Sequence, residues 1–221
     1  MLTFPGYHAN INRLVGIFYL EEVLISRRNT TREKILAMAL DLITKNGFDP
    51  TSVADICLAA NVSKGAFYHY FPSKQALFME LIQMWLDALD VGLHMALDNA
   101  SSVPEGLLNM AGMTGRIFQE AKDGFPILIE FWRQANLDPV IWQEAMTPYK
   151  RYLDYFEKLV LQGIKEGSFD ESTDPKFAAR LLISMAMGLL LQASFDPESV
   201  FWEETTITGM QLIINGLRRL P

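Results

Sequence analysis

The sequence predicts an all-α chain. Three observations lead there. Apolar residues recur at three-to-four spacing over most of the length, Ser/Thr/Asp caps and Gly/Pro stops punctuate those runs, and no stretch alternates as a strand would. The pattern divides into a three-helix N-terminal head at residues 27–74 and a helical body at 75–221, joined by a long fourth helix, with residues 1–26 as an extension ahead of both.

The head is the most readable part. Thr30-Thr31-Arg32-Glu33 forms a capping box, in which the threonine hydroxyl accepts from the N3 amide and Glu33 reaches back to the cap amide. Ile35, Leu36, Ala39, Leu42 and Ile43 then give one buried face, and Asn46-Gly47 stops the helix. Pro50-Thr51-Ser52 restarts the chain; Ser52 and Asp55 make a second box, and Val53, Ile56 and Ala59-Ala60 a short stripe. Asn61 falls at a tight turn, where a left-handed residue is needed and asparagine tolerates that region better than most. Ser63 caps a third helix, which Phe67 and Phe71, four apart, anchor to the core before Pro72-Ser73 ends it.

Lys64, Gly65, Tyr68 and His69 remain outward on this third helix, with Lys74 just beyond. Glycine lets backbone approach backbone, a tyrosine hydroxyl bonds to phosphate, and lysines supply the cations. Helices two and three thus read as a helix-turn-helix for the DNA major groove. The bland alternative is that Tyr68 and His69 merely cover a small domain. Two capped helices, a short turn and a polar-faced helix in this order and spacing favour the DNA reading.

Val62-Ser63-Lys64-Gly65-Ala66-Phe67-Tyr68-His69-Tyr70-Phe71-Pro72-Ser73-Lys74-Gln75-Ala76-Leu77 resembles the signature of the TetR/AcrR family of transcriptional regulators, and Ile35-Leu36 through Phe48 and Thr51 to Ile56 match the same pattern. Members usually carry glycine where this chain has Asn61, a mild departure, and a different order around His69-Tyr70, which leaves base preference open. The resemblance implies an all-helical homodimer that acts from a pseudo-palindromic operator and is released by a small molecule. The residues expected at the DNA are Arg32, Thr51, Ser52, Val53, Ser63, Lys64, Gly65, Tyr68, His69 and Lys74.

Charge is consistent with this division. The chain carries −7 overall, which looks wrong for a DNA binder until it is split. Residues 27–74 hold seven Lys/Arg against four Asp/Glu, whereas residues from Gln75 onward hold eleven against twenty. The basic excess sits on the head, and the acidic body disfavours non-specific binding to polyanions. A lone cysteine, Cys57, excludes a disulfide framework and a cysteine-based metal cage.

Residues 1–26 include the apolar run Leu14-Val15-Gly16-Ile17-Phe18-Tyr19-Leu20, too short for a membrane span and without the flanks of a signal peptide. Two readings stand: a loosely structured extension, or an extra amphipathic helix packed on the body. Arg27 and Arg28 read equally as an arm toward phosphates and as solvated linker charge.

In the body, the fourth helix carries Leu77, Phe78, Leu81, Ile82, Trp85, Leu89, Leu93 and Leu97, with Gly92 as a weak point inside it. A fifth helix opens at Val103-Pro104, a sixth at Phe125-Pro126, and a seventh spans Val140 to Glu166, with Pro148 expected to kink or divide it. The eighth, Lys176 to about Ala193, is apolar nearly all round and therefore expected to be buried all round; the ninth runs from Val200 to Arg219. These last two need a second copy to cover their other faces, and the family's members dimerise through them.

A ligand site is the second expectation. Trp85, Met110, Met113, Phe118, Phe131, Trp132, Trp142, Met146, Tyr149 and Tyr152 lie in the middle helices and would give an adaptable apolar wall. Such stripes are more often plain core, and the family resemblance favours the pocket. Gln119, Glu130, Arg133, Gln134, Asn136 and Tyr152 are the polar candidates for orienting a ligand.

No cofactor, metal or catalytic constellation is expected: His8, His69 and His94 belong to no HExxH, and neither a phosphate loop nor a nucleophile elbow occurs. Asp87, Asp90 and His94 share a helical spacing but read as a solvated face. The expected protein is a cytoplasmic, non-enzymatic regulator with a DNA operator, a small apolar or aromatic effector and a second copy of itself as partners, and no membrane. The alternative is a helical dimeric small-molecule-binding protein without a DNA target, which a genomic-fragment selection would separate.

Overall fold

The computed structural model describes residues 30–120, 125–137, 139–196 and 201–218. The expectations for residues 1–26, Arg27 and Arg28 lie outside these. Among the described residues every regular element is an α-helix. In chain order they are α1 (Thr31–Asn46), α2 (Val53–Ala60), α3 (Lys64–Tyr70), α4 (Lys74–Asp98), α5 (Val103–Glu120), α6 (Phe125–Leu137), α7 (Pro139–Lys165), α8 (Pro175–Phe195) and α9 (Trp202–Leu217).

The described chain forms two compact units. The first holds the residues up to Val91 together with Phe125–Arg133; the second holds Gly92–Glu120 and the residues from Gln134 on. The expected boundary, after Lys74, marks the end of a motif rather than a division in packing. The first half of α4 belongs with the head because Leu77, Phe78, Leu81 and Ile82 are buried there, Phe78 with its ring centroid 4.8 Å from that of Phe48.

In the first unit, Ile35, Leu36, Ala39, Leu40 and Ile43 form the buried face of α1. Leu40 takes the core position expected of Leu42, which is half-buried. The core closes with Ile56, Phe67 and Phe71. Arg32 of α1 pairs with Glu80 of α4 and lies 5.6 Å from the Phe71 ring centroid.

In the second unit, α5 packs against α9, α8 against α7, and α8 against α9. The first turn of α5 is held by Glu166, whose Oε1 accepts from the Val103 amide at 2.8 Å. Gly92 is less a weak point than a socket: a Cβ there would stand 2.6 Å from Met113 Sδ. Pro148 does not divide α7, which runs on through Lys165 with one amide donor forgone.

The expectation that α8 is buried all round does not hold. Ala178, Ala179, Leu182, Ile183, Leu189 and Ala193 are buried, but Phe177, Leu181, Met187, Leu191 and Phe195 are exposed, Phe177 at 75% and Phe195 at 79%. Among the described residues, one side of α8 is buried and the other is exposed. By length and composition α8 could cross a bilayer, yet its apolar residues divide between a packed face and an open stripe interrupted by Lys176, Arg180 and Gln192.

Candidate nucleic-acid interface

The head's geometry is fixed from one cap to the next. Thr30 Oγ1 accepts from the Glu33 amide and Glu33 Oε2 from the Thr30 amide, both at 3.3 Å. At α2, Ser52 Oγ accepts from the Asp55 amide at 3.1 Å, while Asp55 Oδ2 accepts from the Ser52 amide at 2.9 Å and from its hydroxyl at 2.6 Å. These bonds hold the Asp55 carboxyl below its ordinary pKa. Ser63 Oγ accepts from the Ala66 amide at 3.1 Å and starts α3.

Between α2 and α3 the chain reverses at Asn61, whose φ of 53° and ψ of 51° are left-handed. The Asn61 amide donates to the Leu58 carbonyl at 3.2 Å and the Val62 amide to that of Cys57 at 3.0 Å. These bonds satisfy the last carbonyls of α2 and set the exit direction. The free thiol Cys57 is buried under this turn.

Phe67 and Phe71, their ring centroids 5.7 Å apart, face inward and are essentially inaccessible. The outward face of α3 then follows from helical periodicity: Lys64, Gly65, Tyr68 and His69 are all exposed. Tyr68, 55% exposed, sits edge-on to Phe67 at 5.3 Å. A Cβ on Gly65 would meet only Ser63 Oγ, at an ordinary 3.7 Å. Internal packing therefore does not require glycine there.

The structure leaves most of the residues expected at the DNA exposed. Lys64, Gly65, Tyr68 and His69 line the exposed face of α3, with Ser63 at its start; Ser52 and Val53 open α2. Arg32 is exposed but already paired with Glu80. Two expectations change. Thr51 is 2% exposed, and its hydroxyl donates to the Gly47 carbonyl at 2.8 Å, so its side chain braces the α1–α2 loop rather than facing a phosphate. Lys74 Nζ donates to the carbonyls of Phe48, Asp49 and Thr51, at 2.7, 3.4 and 2.8 Å, which commits the cation to that same loop.

The residues expected at a ligand are divided between the units. Trp85, Phe131 and Trp132 belong to the first; Met110, Met113, Trp142, Met146, Tyr149 and Tyr152 to the second. The side chains of Phe118 and Gln119 lie outside the described residues. Phe131, Met110 and Met113 are buried, whereas Trp142 is 48% exposed, because its neighbour Ile141 takes the inward position on α7. Arg133 does not stand ready to orient a ligand: it donates to Glu130 at 3.0 and 2.8 Å and to Asp49 Oδ2 at 2.5 Å. Asp49 carried no functional expectation, since only the fold brings it to a residue 84 positions away. Among the described residues no group of three or more His, Cys, Asp or Glu is placed to hold a metal ion.

Comparison with known proteins agrees with this geometry. Residues 35–81 match the family described as bacterial regulatory proteins, tetR family. The HTH-type transcriptional repressor DhaR of Mycobacterium sp. (strain GP1) is 25% identical over 171 residues, 76% of this chain and 85% of that protein. Among solved structures, the TetR family transcriptional regulator PfmR of Thermus thermophilus aligns with a TM-score of 0.67 at 26% identity, over 84% of this chain and 99% of that one. The fatty acid degradation regulator FadR of Bacillus halodurans shares the fold, with a TM-score of 0.76 at 20% identity over 87% of this chain and 98% of its own. The head matched by the family, the regulators matched along most of the chain and the helical fold agree: residues 35–81 carry the TetR-family pattern, on a chain that is similar to TetR-family transcriptional regulators.

Proposed function

We propose that the protein is a ligand-responsive repressor that binds a pseudo-palindromic operator as a homodimer. The observation that carries this reading is the polar face of α3. It is held outward by two inward phenylalanines and aimed by a left-handed turn and three side-chain caps. In a two-fold dimer, two such helices about 34–36 Å apart, or a multiple of that, enter successive major grooves.

Dimerisation is assigned to α8 and α9. The exposed stripe Phe177, Leu181, Met187, Leu191 and Phe195 on α8, with Leu212 on α9, is the kind of apolar face that a second copy covers. A Cβ on Gly188 or Gly216 would meet nothing within 4 Å, so both glycines leave room for close approach.

The effector in this reading is a small apolar or aromatic molecule held by the second unit, with Met110, Met113, Met146, Tyr149 and Tyr152 as its wall. It releases DNA by binding the DNA-free arrangement more tightly, and that difference in affinity is the whole driving force. Such a regulator acts in the cytoplasm, without cofactor or catalysis.

The test is a gel shift on duplexes retained by the protein from genomic fragments. Tyr68→Ala is expected to weaken binding at physiological salt while leaving the melting curve unchanged. Undiminished affinity in Tyr68→Ala would refute the assignment of α3 as the reading helix.

A further inference from the structure

Helix α6 meets the head through a cluster of four charges, all within the first unit. Asp49 lies in the loop from α1 to α2, and its carboxylate accepts from Arg133 of α6. Arg133 is also held by Glu130, one turn back on the same helix. Lys74, the first residue of α4, clasps the backbone of the Asp49 loop, and both Asp49 and Glu130 act on its charge. The loop leads directly into Ser52 and Asp55, the cap of α2. On α6, Phe131 and Trp132 sit between the two residues that form the cluster.

The pair contributes little to folding. Its side chains are 66% exposed for Asp49 and 41% for Arg133, and ion pairs this open are typically close to neutral in stability. Its geometry serves another end: it joins a segment far along the chain to the residues that orient α2.

We propose that Asp49–Arg133 is a coupling link, through which displacement of α6 at Phe131 and Trp132 moves the α1–α2 loop and so tunes operator affinity. This rests on the regulator reading above and adds its route. Arg133 and Asp49 are positioning residues here, and neither is assigned a contact with DNA or effector. The route is physical rather than statistical: a chain of hydrogen-bonded charges between α6 and the α1–α2 loop.

The experiment uses the full chain labelled with 5-fluorotryptophan, its Trp132 resonance identified by Trp132→Phe. Asp49→Asn and Arg133→Gln are both expected to move the Trp132 line with no change in melting temperature. Asp49→Glu and Arg133→Lys, which keep the charges, leave it in place. On a duplex retained from genomic fragments by wild-type protein, each neutral variant shifts affinity by roughly two- to thirtyfold, and the double variant shifts it no further. A Trp132 line indifferent to both neutral variants overturns the link, as do additive or absent effects on DNA affinity. If the wild type retains no fragment, the regulator reading fails, and the fluorine line still decides the link.

Discussion

Lys74 Nζ stands 2.7 Å from the backbone oxygen of Phe48 and 4.1 Å from the centroid of the same residue's ring. One cation thereby closes the α1–α2 loop and holds Phe48 against Phe78. Burial pushes the pKa of Lys74 down, while Asp49 and then Glu130 pull it back up. Lys74→Met is expected to destabilise the protein by about 1–3 kcal/mol, because part-buried carbonyls lose their donor. Scanning calorimetry checks this. An unchanged Tm would mean that water replaces the ammonium at no cost.

The head is legible in the sequence because its determinants are local. Each cap lies within three residues of its partner, as for Thr30 with Glu33 and Ser52 with Asp55, and Phe67 and Phe71 show their inward direction by spacing alone. Lys74 and Thr51 depart from expectation because a lysine or threonine beside a recognition helix looks the same whether it faces phosphate or a carbonyl. The cluster of Asp49 with Arg133 leaves no sequence signal at all, since the two meet only through tertiary structure. On α8 the apolar pattern is plain in the sequence, but composition does not say whether a face packs against its own chain or remains open.

Asn61 gives a direct check on the α2–α3 turn. At φ 53° a β-branched side chain is strained, whereas glycine is not. Asn61→Val is expected to cost about 1–2 kcal/mol in urea unfolding, with Asn61→Gly within a few tenths of a kcal/mol of wild type. Equal stability of the valine and glycine variants would show that the turn relaxes out of the left-handed region.

The box of Ser52 and Asp55 makes stability depend on pH in a defined direction. Because hydrogen bonds from Ser52 lower the folded pKa of Asp55, the unfolded chain binds the proton more readily. The contribution is therefore complete above the ordinary aspartate pKa of about 3.9 and is lost as pH falls through the lower, folded value. Glu105, lowered by its bonds from Ser101, adds a second contribution of the same sign at α5. Asp55→Asn is expected to lower stability at neutral pH and to make the acid limb of the stability curve shallower without abolishing it. Urea midpoints measured from neutral pH down through the acid range would decide this, and an unaltered acid limb would remove Asp55 from the account.

The open stripe of α8 leads to the last prediction. Leu181 is 52% exposed within the protomer, so replacing it should leave the core of the second unit intact. In a two-fold interface through α8 and α9, the same substitution occurs twice in one contact. Leu181→Glu forgoes apolar burial of about 1.5–3 kcal/mol per fully buried leucine and brings a carboxylate where no cation is required to meet it. The wild-type protein is expected to sediment at twice its protomer mass of 25.1 kDa, and Leu181→Glu at the protomer mass with the helical circular dichroism unchanged. A variant that still sediments at the doubled mass would move the interface off this stripe. A variant that loses its helical signal would instead mean that Leu181 supports the fold of the second unit, and the charge would then be placed at Phe177, which is more exposed and lies one turn earlier on the same face.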